Sequence, residues 1–169
     1  MNDDVRNLIL VAGVGNIFLG DDAFGLEVVQ RLARRTLPGN VRVMDFGIRS
    51  YDLAYALMEP WELAILVDAV PLNDAPGTVY LIEPELPKSG DRPAAGFDAH
   101  TMNPVSVLQL VSSLGGKVCP MLIVGCQPAS VDADEGGATG LSEPVQAAVD
   151  EAIRLTEEII ARNQRTTAA

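Results

Sequence analysis

The 169-residue chain contains a single histidine, His100, and only two cysteines, Cys119 and Cys126. With one histidine, any Ser-His-Asp or Cys-His mechanism would have to use His100 as its base. There is no Gly-x-Ser-x-Gly elbow to present a serine nucleophile. Cys126 runs into the turn-forming Gln127-Pro128, not into a helix whose N-terminus would lower a thiol pKa. Both cysteines fall in the strand-like run Val118 to Cys126. Extended backbone would hold them roughly 23 Å apart and on opposite faces, which excludes a disulfide within that strand. Lacking a Cys-x-x-Cys spacing as well, they read as buried small apolar residues.

Basic side chains are also scarce: 12 Lys and Arg against 23 Asp and Glu, a net charge of −11. That balance argues against nucleic acid or an anionic membrane as partner, since either rewards a basic surface. No apolar run approaches the roughly 20 residues of a membrane span, and the N-terminal MNDDVRN lacks a signal-peptide pattern. The expectation is a cytoplasmic protein with no membrane partner. Apolar residues make up 48% of the chain, enough to bury a core, and 1–169 reads as one domain without internal repeats.

Hydrophobic patterning alternates strands with helices. Leu8 to Ala12, Val41 to Asp45, Leu63 to Val70, Thr78 to Glu83 and Met121 to Gly125 read as strands. The third is nearly all apolar, as a central parallel strand should be, and prolines beyond the fourth mark it as an antiparallel edge. Helices are predicted over Asp22 to Arg35, Ser50 to Met58, from Asn103-Pro104 to Gly115-Gly116 with Val105, Leu108, Val111 and Leu114 inward, and from a Ser142 cap onward, fraying from Arg162. The expected fold is a three-layer α/β/α sandwich on a mostly parallel, roughly five-stranded twisted sheet. Two irregular stretches remain, Glu85 to Asn103 and the Gly-rich Gln127 to Gly140; long loops of this kind are often functional.

The stretch GVGNIFLGDDAFG, Gly13 to Gly25, joins the first strand to the first helix. It begins like a dinucleotide-binding turn, but Phe18 stands where the third glycine belongs, and Asp21 and Asp22 would face a pyrophosphate at the helix start. One acid of that pair is expected to cap the helix; the other is spare. Asp68 follows five apolar residues and precedes two more, where an unpaired charge would be costly, so it must reach solvent, backbone donors or a metal. Strand ends converge in open parallel sheets, so Asp22 and Asp68 become neighbours if strands one and three are adjacent. With His100 closing the long loop, two carboxylates and an imidazole would suit a divalent transition metal. The plainer alternative, that Asp68 caps a turn and His100 is an ordinary loop residue, stays open on these residues alone.

These motifs, in order, resemble those of the hydrogenase maturation proteases: Gly13-Val14-Gly15-Asn16 with Asp21-Asp22, Ile65-Leu66-Val67-Asp68-Ala69, Asp98-Ala99-His100, and Gly125-Cys126-Gln127-Pro128. The resemblance implies an endopeptidase that removes the C-terminal extension of a nickel–iron hydrogenase large-subunit precursor. It implies that Asp22, Asp68 and His100 recognise nickel carried by that precursor, with no tightly bound cofactor of the enzyme's own. Many relatives have Asp-Gly-Gly-Thr after the second strand, where this chain reads Asp45-Phe46-Gly47-Ile48-Arg49; Asp45 and Gly47 are thereby substrate-binding candidates of altered specificity. A nickel-binding maturation chaperone without catalytic activity and a self-contained metallohydrolase are the alternatives.

Overall fold

The computed structural model describes residues 7–86, 104–129 and 140–167. Five strands, β1 (Ile9–Val14), β2 (Val41–Gly47), β3 (Leu63–Ala69), β4 (Val79–Ile82) and β5 (Met121–Cys126), form one sheet in the order β2-β1-β3-β5-β4. All neighbours pair in parallel except β4, which runs antiparallel to β5 at an edge. The α-helices among the described residues are α1 (Phe24–Leu32), α2 (Ser50–Leu57), α3 (Pro104–Ser113) and α4 (Glu143–Thr167).

Alternation along the strands divides the core in two. Ile9, Val11, Ile65, Val67 and Val124 join α1 and α4 residues such as Phe24, Val28, Val149 and Ile153. Leu10, Ala12, Val14, Leu66 and Ile123 join Leu53 and Leu57 of α2 and Leu108 and Val111 of α3. The chain steps from β1 to β2 in one direction and from β2 past β1 to β3 in the other. Right-handed crossovers therefore place α1 and α2 on opposite faces, giving the three-layer sandwich expected from the sequence. The reversal also creates a switch point between β1 and β3, where open sheets bind ligands.

Several boundaries differ from the expected ones. The segment expected to open the first helix is a 3-10 turn, Gly20–Ala23, and α1 proper starts at Phe24 and ends at Leu32. β2 continues through Phe46 to Gly47 because a bulge lets Gly13 pair with Asp45 and Val14 with Gly47. The skipped Phe46 turns inward against α2. β5 begins only at Met121, after Pro120, so Cys119 precedes the strand; the two cysteines nonetheless belong to opposite layers of the core. In α3 the buried residues are Val107, Leu108, Leu110 and Val111, while Val105 and Leu114 are exposed. The strict three-residue spacing drifts around the helix, whereas the adjacent pairs face both sheet and α2.

The tail expected to fray at Arg162 instead stays helical to Thr167. Gln164 Nε2 donates to Asn40 Oδ1 at 3.0 Å, pinning the last turns to the loop before β2. Among the described residues no helix is long and apolar enough to cross a membrane. The Glu85 to Asn103 and Gln127 to Gly140 stretches, including His100, fall largely outside the described residues.

Candidate active site

Close backbone approach places the acidic pair at the switch point. A Cβ on Gly25 would lie 2.1 Å from the Val67 carbonyl oxygen and 2.4 Å from that of Val14. The start of α1 therefore sits directly on the ends of β1 and β3. Gly15, at φ +142°, lets the Asp22 carbonyl come equally near. Only a residue without Cβ permits either contact.

The two acids then divide their work. Neither caps a helix: the 3-10 turn and α1 both lack a side-chain cap hydrogen bond. Asp21 is buried and accepts hydrogen bonds from Ala129 N–H, Ser142 N–H and the Ser142 hydroxyl. Asp22 is half-buried, and its Oδ2 accepts from Asn16 N–H at 2.9 Å. Ser142 does stand at the start of α4, where its carbonyl accepts from Gln146 N–H at 2.8 Å, but its hydroxyl serves Asp21.

Asp68, only 3% exposed, is the penultimate residue of β3 and pairs in register with Gly125. Burial pushes its carboxyl well above the ordinary range; the Asp22 charge adds to that shift and a bond from Ala69 N–H opposes it. Burial also raises Asp22, against the bond from Asn16. The Asp22 charge thus reaches Asp68 across the β1–β3 crevice, in keeping with the adjacency of those strands. Among the described residues no basic side chain pairs with either. Two carboxylates at one crevice, neither paired with a basic side chain among the described residues, are hard oxygen donors of the kind that suits a cation.

Asp45 and Gly47 lie one strand away, on the edge strand. The Asp45 side chain is exposed and the Gly47 carbonyl accepts from Gly15 N–H at 3.0 Å, so the loops after β1 and β2 are joined. Arg49 folds back, its guanidinium donating to the carbonyls of Asp45 and Phe46 and pairing with Asp52 at 3.5 Å. Arg49 thus braces its own loop. Ile17, Phe18 and Ile48 are exposed on these same two loops, Phe18 at 83%. A cleft of about 810 Å³ lies between α3 and the β4–β5 side of the sheet, with Val70, Ile82 and Ile123 on one wall and Pro104, Val105 and Leu108 of α3 on the other.

Neither cysteine is placed for nucleophilic chemistry. Both are buried and free, and burial pushes Cys119 up to about 11 and Cys126 up to about 12, with nearby Asp21 adding to the latter. At neutral pH both are thiols, and the thiolate is the nucleophile. Cys119→Ala and Cys126→Ala should each keep the processing rate of the folded protein within about twofold, with a stability loss of roughly 1–2 kcal/mol for the deleted volume. Loss of cleavage by a folded Cys126→Ala protein would restore the thiol mechanism.

The sequence pointed to Asp22 and Asp68 but not to the role of Asp21. Its partners lie more than 100 residues away, and the only local signal was that an acidic pair exceeds what one cap needs.

Comparison with known proteins identifies the family and supports the fold. Residues 26–159 match the family model described as hydrogenase maturation protease. A putative hydrogenase maturation protease of Methanocaldococcus jannaschii is 37% identical over 149 residues, covering 87% of this chain and 92% of the relative. Among solved structures, the hydrogenase maturating endopeptidase HybD of E. coli superposes with a TM-score of 0.69 at 25% identity, covering 92% of this chain and 93% of that one. A hydrogenase 2 maturation peptidase from a Thaumarchaeota archaeon gives 0.67 at 29% identity, covering 92% and 99%.

Proposed function

The chain belongs to the hydrogenase maturation protease family, and from that premise we propose that this endopeptidase removes the C-terminal extension of a nickel–iron hydrogenase large-subunit precursor once nickel is in place. Asp22, Asp68 and His100 hold the precursor's nickel and so bring the scissile bond to the crevice. The single observation that carries this reading is the Asp22–Asp68 pair: two carboxylates raised by burial, one also by the other, with no basic partner among the described residues. A divalent cation relieves that repulsion and desolvation together. His100 precedes Pro104 by four residues, a reach of at most about 14 Å, and Pro104 shares a cleft with Val70, two residues beyond Asp68. The nickel is part of the substrate, and a Lewis acid so placed polarises a peptide carbonyl or activates water.

Asp45 and Gly47 contact the precursor beside this site, where exposed Ile17, Phe18 and Ile48 provide apolar surface of the kind that meets a protein partner. The bulkier Phe46-Gly47-Ile48-Arg49 turn alters which precursor fits.

The test is cleavage by the purified enzyme of its precursor with and without nickel. Cleavage of only the nickel-loaded form is expected. Binding without cleavage would make the protein a chaperone, and turnover of small amides with added metal would make it a self-contained metallohydrolase. Equal cleavage of nickel-free precursor would remove nickel recognition from the mechanism.

A further inference from the structure

Asp21, the neighbour of the proposed nickel ligand Asp22, has its own set of contacts. Its side chain is 3% exposed, and three donors converge on its two oxygens. Ser142 N–H reaches Oδ1 at 2.7 Å, Ala129 N–H reaches Oδ2 at 2.8 Å, and the Ser142 hydroxyl reaches Oδ2 at 2.9 Å. Ala129 stands just after β5 and Ser142 just before α4, so one carboxylate binds both ends of the connection between them to the 3-10 turn. That turn needs an anchor. It has no side-chain cap, and the hydrogen bond from Asn16 is the one that Asp22 receives among the described residues.

We propose that Asp21 is a positioning residue for the reaction: it clamps the 3-10 turn to the β5–α4 connection and so aims Asp22 into the β1–β3 crevice. The inference rests on the reading of Asp22 given above. It explains why two acids stand together where one would serve as ligand. It also explains why the serine at the start of α4 turns its hydroxyl away from its own helix.

The chemistry of the clamp makes Asp21→Asn a sharp probe. Asparagine keeps the shape but has one acceptor oxygen and one NH₂ group. If the nitrogen replaces Oδ1 it faces Ser142 N–H; if it replaces Oδ2 it faces Ala129 N–H. Either orientation sets a donor against a backbone donor at a buried place. Ser142→Ala is milder, removing one bond and leaving both backbone donors satisfied.

Processing of nickel-loaded precursor would be followed for wild type, Asp21→Asn and Ser142→Ala, well below their melting temperatures, with rates normalised to the folded fraction from circular dichroism. Asp21→Asn is expected to lower kcat by roughly tenfold or more, and Ser142→Ala by roughly two- to tenfold, each with KM within about twofold of wild type. A merely structural role would lower the melting temperature and leave kcat per folded molecule unchanged; that result in folded Asp21→Asn overturns the proposal. If Asp21→Asn does not fold, Ser142→Ala decides, and a wild-type kcat there overturns it. If wild type cleaves no precursor, the proposed function is at fault, and the clamp is read from amide exchange at Ala129 and Ser142. Faster exchange in Asp21→Asn than in wild type supports it, and equal exchange overturns it.

Discussion

Asp68→Asn should give a protein that no longer processes precursor yet is more stable than wild type at neutral pH. The activity loss is expected to be about 100-fold or more, the scale on which one preorganised electrostatic contact to a reacting centre is felt. The gain in stability follows from the cost of the charge. Asp68 is held well above the ordinary value of 3.8 by burial, then by the Asp22 charge. A carboxyl raised in this way contributes stability that is fully present below the unfolded value and is lost as pH rises through the folded one. Asparagine never ionises, and its oxygen can still accept from Ala69 N–H, so it escapes that loss. Thermal melts against pH should therefore show the variant above wild type at pH 7–8, with the gap closing towards pH 4. A gain of about 1 kcal/mol would move the midpoint by roughly 2–4 °C in a domain of this size. A variant that melts below wild type at pH 8 would mean that the buried carboxylate is already compensated. A variant that processes at the wild-type rate would remove Asp68 from the site.

Gly25→Ala is expected to have the largest effect on the fold. The new methyl would stand 2.1 Å and 2.4 Å from the carbonyl oxygens of Val67 and Val14, and both obstacles are backbone of the interior strands β3 and β1. Neither can swing aside as a side chain could, so α1 must lift off the sheet. The better helix propensity of alanine is worth at most about 1 kcal/mol. Overpacking against fixed atoms costs about 1–3 kcal/mol and occasionally more, so with two backbone clashes a net loss of at least about 2 kcal/mol is expected in urea denaturation. Processing should fall with it, because lifting α1 also displaces Asp22. Gly39→Ala is the control. Nothing lies within 4 Å of its added Cβ, and it should stay within about 0.5 kcal/mol of wild type. If Gly25→Ala unfolds at the wild-type urea concentration, close packing does not hold the acids in place.

Much of this protein is decided locally and is therefore legible in its residues. Strand and helix identity follows from short-range patterning: the short apolar runs Leu8 to Ala12 and Leu63 to Val67 read as buried strands, and Phe24, Val28, Val29 and Leu32 recur at helical spacing. The alternation of these elements implies a layered α/β fold, and placing Asp22 and Asp68 at strand ends requires nothing beyond chain order.

What tertiary structure alone decided are the relations between distant residues. The order β2-β1-β3 brings Asp22 and Asp68 to one crevice and lets the Asp22 charge act on Asp68. A bulge carries β2 past its expected end and turns Phe46 inward. Gln164, reaching Asn40 across 124 positions, keeps a polar tail helical that local composition would leave frayed. Ala129 and Ser142 make Asp21 a buried tie, where the sequence expected one acid of the pair to cap a helix. In each case the deciding energy is a contact between residues far apart in sequence. Propensity and periodicity register only near neighbours, so they carry no record of it.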